Sequence, residues 1–131
     1  MPPLRVDSLT FDCHDPGTVA RFWAAVLGYE VVEIDEEGAD IRDPNGFGWR
    51  VIFLIVPEGK SVKNRIHLDL RPETSMAAEV ERVKELGATE LRFVEEGGSF
   101  WTVLRDPEGN EFCVLRGPQD GWSEAGGESG G

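Results

Sequence analysis

Apolar residues recur at helical spacing in two places along the chain. After the turn Asp15-Pro16-Gly17, Val19, Phe22, Trp23, Val26 and Leu27 follow the i, i+3, i+4, i+7, i+8 pattern, a stripe that faces a core. Gly28 then ends the predicted helix as a C-terminal cap. A second stripe, Met76, Val80, Val83 and Leu86, starts after a capping hydroxyl from Thr74 or Ser75 and closes at Gly87. Short strand-like runs bounded by turn residues surround both stripes. They are Val6–Cys13, Glu30–Ile34, Ala39–Asp43 and Arg50–Val56 in the first half, and Arg65–Leu70, Thr89–Val94, Phe100–Arg105 and Glu111–Leu115 in the second. Each half therefore reads strand, helix, strand, strand, strand.

The halves also share local sequence. Leu27-Gly28 matches Leu86-Gly87 at an offset of 59, and Asp43-Pro44-Asn45-Gly46 matches Asp106-Pro107-Glu108-Gly109 at an offset of 63. Two matches in the same order within matching patterns indicate a duplicated unit. The predicted domain spans residues 4–117, with repeats of about 4–57 and 64–117. Residues 118–131, PQDGWSEAGGESGG, have no hydrophobic period and are expected to form a disordered acidic, glycine-rich tail.

Composition narrows the function. The chain has 131 residues, 40% of them hydrophobic and 29% charged, the profile of one ordinary globular domain. Its net charge of −12 repels phosphate backbones and anionic lipid, so nucleic acid and membrane surfaces are poor partners and a cationic or neutral small molecule is the expected one. The start MPPLRVDSL lacks the basic flank and apolar stretch of a secretory signal, and no apolar run is long enough to span a bilayer. A cytoplasmic protein is expected. Cys13 and Cys113 lie in no close metal spacing, and both are expected to be buried thiols rather than a disulfide.

Several motifs in order resemble the vicinal oxygen chelate superfamily, and most of all its glyoxalase-like and bleomycin-resistance-protein-like subgroup common in bacteria. Asp15-Pro16, Ala20-Arg21-Phe22-Trp23 and Leu27-Gly28-Tyr29 resemble that superfamily's first helix and its exit. Asn64-Arg65-Ile66-His67-Leu68-Asp69-Leu70 resembles its fifth strand, and Asp106-Pro107-Glu108-Gly109-Asn110-Glu111-Phe112 the turn into its eighth. The resemblance covers roughly residues 4–116. It implies an α+β fold of two βαβββ repeats forming a curved, open mixed sheet, with the helices outside and a ligand pocket inside. A homodimer is implied as well.

Within that frame, side-chain alternation sorts the strands. Ile66, Leu68 and Leu70 face a helix, leaving Arg65, His67 and Asp69 toward the pocket. Leu9, Phe11 and Cys13 likewise face a helix, leaving Ser8, Thr10 and Asp12 inward, and Glu111 and Cys113 share the inward face of the last strand. Metal-dependent members of the superfamily bind a divalent ion through one side chain from each of the first, fourth, fifth and eighth strands. Those positions fall here on Ser8, approximately Phe53, His67 and Cys113, of which only His67 is an orthodox ligand. Glu111 is a substitute for the missing acid, so His67 and Glu111 are the candidate metal ligands and the candidate acid/base pair.

The pocket is expected to include Ser8, Thr10, Asp12, Phe53, Arg65, Asp69, Trp101 and Cys113, with Trp101 available to stack on a planar ligand. Arg65 is preferred over Lys63 as the cation facing an anionic group. Two functions follow from the resemblance. One is a small-molecule lyase or isomerase with an incomplete site for zinc, nickel, manganese or iron. The other is a metal-free protein that sequesters a small molecule in the manner of bleomycin-resistance proteins.

Overall fold

The structure is a computed structural model and describes residues 3–124. The chain forms an α+β fold of two compact units, Met1–Lys60 and Ser61–Gly131. Both units carry one helix and one four-stranded mixed sheet.

In the first unit β1 (Ser8–Cys13) leads to α1 (Pro16–Leu27), β2 (Glu30–Ile34), β3 (Gly38–Arg42) and β4 (Arg50–Ile55). The sheet order is β1-β4-β3-β2, with β1 parallel to β4 and the other neighbours antiparallel. Asp15 starts α1 by accepting from the Thr18 N–H at 3.2 Å and from its hydroxyl at 2.7 Å. Both bonds favour the ionised carboxyl and hold Asp15 below the usual carboxylate range. Gly28 caps the other end at φ 69°, a left-handed conformation that costs a residue with a Cβ. The stripe predicted from the sequence buries Val19, Phe22 and Trp23 almost completely. Phe11 of β1 meets Trp23 edge-on at 5.8 Å between ring centroids and lies 5.3 Å from Phe53 of β4. Each such side chain contributes roughly 1.5–3 kcal/mol by leaving water, so α1 is held chiefly by this face.

The second unit repeats the plan with β5 (Leu68–Leu70), α2 (Met76–Leu86), β6 (Thr89–Glu96), β7 (Ser99–Arg105) and β8 (Glu111–Leu115). Its order is β5-β8-β7-β6, again with the first pair parallel. Ser75, rather than Thr74, caps α2 by accepting from the Ala78 N–H at 3.2 Å. The helix packs on β8, β7 and β6 but buries only Val80 and Val83. Leu86, expected in its stripe, is 38% exposed because it falls in the last residue before the Gly87 cap.

Two expectations change here. The strand predicted over Arg65–Leu70 begins only at Leu68, and Ile66, assigned to the helix-facing side, is 81% exposed. The reason is a side-chain substitution for the ladder: the Glu111 N–H donates to Asn64 Oδ1 at 2.8 Å rather than to a main-chain carbonyl. Asn64 also donates to Asn110 Oδ1 at 3.1 Å, and Asn110 donates to Asp106 Oδ2 at 3.0 Å, so the turn into β8 is tied to the segment before β5. The second change concerns the expected tail. Pro118–Asp120 form a 3-10 turn in which Asp120 Oδ2 accepts from the Met76 N–H at 2.7 Å and the Gly117 N–H at 2.9 Å. The Arg71 guanidinium lies 4.1 Å from the centre of the Trp122 ring. Residues 118–120 are thus tied to the start of α2, and the part of the expectation that concerns residues 125–131 lies outside the described residues.

Candidate functional site

The parallel pairing of β5 with β8 sets Leu68 beside Phe112, Asp69 beside Cys113 and Leu70 beside Val114. Phe112 and Val114 are buried. Alternation turns the other set, His67, Asp69, Glu111 and Cys113, to the opposite face. Antiparallel β7 adds Val103 opposite Cys113 and Trp101 opposite Leu115, and β6 adds Arg92 opposite Val103 and Val94 opposite Trp101. Together these strands and the preceding loop line a cavity of about 340 Å³, bounded by Lys63, His67, Arg92, Val94, Trp101, Val103, Glu111 and Cys113.

His67 Nδ1 lies 3.0 Å from Asp69 Oδ1. Asp69 thus lies on the Nδ1 side of the ring, and Nε2 is the imidazole nitrogen not facing it. One ligand atom each from His67, Asp69 and Cys113 falls within 4.8 Å of the others. Burial, then the negative charge of Asp69, pushes the Cys113 thiol up to about 11. In the metal-free protein Cys113 is therefore a neutral thiol at physiological pH, not an activated nucleophile. Glu111 is ion-paired with Lys63, which places its carboxylate beside the cavity but outside that three-residue group.

The predicted residues separate into two sets. His67, Asp69, Glu111, Cys113 and Trp101 are brought together in the second unit. Ser8, Thr10 and Asp12 lie on β1 of the first unit, with Thr10 and Asp12 exposed on the side away from Phe11. Phe53 is fully buried against Phe11 and belongs to the core, which corrects its place as a pocket residue. The reason is register: Phe11 pairs with Phe53, so the β4 residues sharing a face with Ser8, Thr10 and Asp12 are Arg50, Ile52 and Leu54. Arg65 is exposed and does not line the cavity, whereas Lys63 does, reversing the order expected of the two.

Arg92, Val94 and Val103 were not foreseen. Simple alternation could not place Arg92, because the β6–β7 register shifts between Glu90 and Arg92 and a bulge exchanges the faces. Three aromatics near the strand ends differ in place: Trp101 lines the cavity, Phe100 lies 5.8 Å from Phe93 between ring centroids, and Trp49 precedes β4 at 55% exposure.

This doubled arrangement of one helix and a four-stranded sheet, with polar residues gathered on strand faces, is that of the glyoxalase, bleomycin-resistance and dioxygenase proteins. A glyoxalase-related enzyme from Fulvimarina pelagi superposes with a TM-score of 0.68 at 20% identity, over 87% of this chain and 88% of that one. A glyoxalase/bleomycin resistance protein/dioxygenase family enzyme from Burkholderia phytofirmans PsJN gives 0.66 at 18% identity, over 82% and 94%. A mutant of the fosfomycin resistance protein FosX from Listeria monocytogenes, complexed with Mn(II) and a dihydroxypropylphosphonic acid, gives 0.70 at 13% identity, over 92% and 96%. At such identities these likenesses carry the fold alone. No curated protein matches the sequence. Residues 8–115 match the model of the glyoxalase-like domain, and the chain belongs to that family.

Proposed function

We propose that the cavity of the second unit is the reaction site of a glyoxalase-like lyase or isomerase acting on a small molecule with vicinal oxygens, and that His67 moves the proton. The observation that carries this reading is the 3.0 Å contact between His67 Nδ1 and Asp69 in a cavity lined by Lys63 and Arg92. Asp69 orients the ring, and Nε2 accepts a proton from a carbon next to a carbonyl. A cationic side chain then faces the oxyanion that forms, where a preorganised charge is most effective. Glu111, beside Lys63, is the second acid/base group.

A divalent ion fits the donor set of His67, Asp69 and Cys113, a mixture of nitrogen, oxygen and sulfur suited to zinc and its neighbours. In a metal-loaded form those three residues would hold it, His67 would serve as a ligand and Glu111 would take over the proton transfer, and the ion would supply polarisation of a substrate oxygen. This replaces Glu111 by Asp69 as the acid beside His67. In the first unit the residues in register at the start of β1 and β4 are Ser8 and Arg50, neither a metal donor of that kind. That pairing favours, as a second reading, a metal-free protein that sequesters its ligand.

We place the protein in the cytoplasm as a homodimer, the state common among relatives of this fold. Among the described residues no helix is long and apolar enough to cross a membrane.

The test is metal content of untagged protein, followed by calorimetric titration with zinc, nickel, manganese and iron(II), and exchange of carbon-bound hydrogen into deuterated water for methylglyoxal hemithioacetals and related carbonyl compounds. Exchange abolished by His67→Ala supports the enzyme. Absence of both metal binding and His67-dependent exchange overturns it in favour of the sequestering protein.

A further inference from the structure

The charges around the cavity are not equally committed. Lys63 is ion-paired with Glu111, and His67 Nδ1 lies 3.0 Å from Asp69. Arg42, Arg50 and Arg82 elsewhere in the chain each pair with an acid. Arg92 lines the cavity, yet its side chain forms no hydrogen bond or ion pair with any described residue. Of the two cations that line the cavity, Lys63 has an acid partner and Arg92 has none among the described residues, so the Arg92 guanidinium is the one open to a ligand there. Flanking Arg92 on the same face are Val94, Trp101 and Val103, an apolar wall with one large flat ring.

We propose that the cavity binds a small planar monocarboxylic acid, its carboxylate on Arg92 and its apolar body against Trp101 between Val94 and Val103. This rests on the cavity being the functional site, as read above, and names its ligand class. A guanidinium presents two parallel N–H groups that match the two oxygens of a carboxylate. The aromatic ring of Trp101 favours a flat partner in offset or edge contact. One uncommitted cation balances one negative charge. The carboxylates of Asp69 and Glu111 near the same cavity disfavour a dianion such as a phosphate monoester, because like charges repel at short range. The volume of about 340 Å³ lies at the small end for ligand sites, which suits an acid of one or two rings.

The experiment is calorimetric titration of the full chain with 2-naphthoate and with 2-naphthamide, which share shape and differ in charge. The acid is expected to bind at least about 10-fold more tightly, the size of a charge-assisted hydrogen bond. Arg92→Gln should bring the acid to the level of the amide, and Arg92→Lys should leave an intermediate preference. Trp101→Leu should weaken acid and amide alike. Equal binding of acid and amide overturns the proposal, as does a preference that survives Arg92→Gln and vanishes in Lys63→Gln. A chemical shift change of the Arg92 Nε–H on adding 2-naphthoate, absent with the amide, locates the contact independently. The two readings fail separately. His67→Ala should retain the preference for the acid while losing hydrogen exchange, whereas loss of the Arg92-dependent preference with exchange intact sinks only the ligand class.

Discussion

The two units share a strand order and differ in what their sheets present. In the first, β1 and β4 pair over six residues, and the set away from the core starts with Ser8 beside Arg50. Arg50 there pairs with Asp40 and Asp7, and Asp40 also holds Arg42, so both cations on that face are already paired within the unit. In the second, β5 and β8 pair over only three residues, and the corresponding face carries His67, Asp69, Cys113 and Glu111 around a cavity. The helices differ in the opposite sense. α1 buries Phe22 and Trp23, while α2 buries two valines. One copy of the duplicated unit has the more deeply buried helix face and the other the cluster of titratable side chains around a cavity, and such a division lets a scaffold change chemistry without losing its packing.

The comparison breaks most readily at the helices. Trp23→Ala should cost about 3–5 kcal/mol and Val83→Ala about 2 kcal/mol, read from urea unfolding, since the loss follows the apolar volume removed and the cavity left. Equal costs would mean that the second unit gains its stability from α2 more than its burial indicates. Asn64→Ala comes next, at about 1–2 kcal/mol, because it strips the Glu111 N–H of its partner. Its sharper signature is local: amide exchange at Glu111 should quicken while β1 and β4 stay protected.

Asp120→Ala should cost about 1 kcal/mol, the value of a helix cap, with faster exchange confined to the first turn of α2. An unchanged exchange rate there would remove residues 118–120 from the account of that helix. The smallest effect at neutral pH belongs to Cys113. Its folded value near 11 lies above the ordinary thiol value of 9.0, so the unfolded chain releases its proton first. Stability from this group is complete below about pH 9 and declines as pH rises toward 11, and iodoacetamide labelling of metal-free protein should follow the same rise. Ready labelling at pH 8 would show a thiol activated by a neighbour.

Much of the fold could be read from periodicity. Both helices, their glycine ends and the repeat followed from apolar spacing and paired turns, because these signals are local and recur twice in the same order. The pocket was legible only where alternation runs undisturbed. His67, Asp69, Glu111 and Cys113 sit in or next to strands without a bulge, and parity placed all four on one face. Phe53 was misplaced because parity within β4 does not reveal its register against β1, which sets it beside Phe11. Arg65 was preferred to Lys63 on the premise of a strand that the Asn64 side chain shortens.

By itself the sequence determined the elements, their order, the duplication and the residue types available for chemistry, because spacing and turn residues act over a few positions. Tertiary structure decided which of those residues meet. The β6 bulge turned Arg92 into the cavity, and the pairing of β5 with β8 set Asp69 beside Cys113, with His67 at 3.0 Å from Asp69. Such outcomes depend on register and on hydrogen bonds between segments more than forty residues apart, as with Asn64 and Glu111, and no local pattern carries that information.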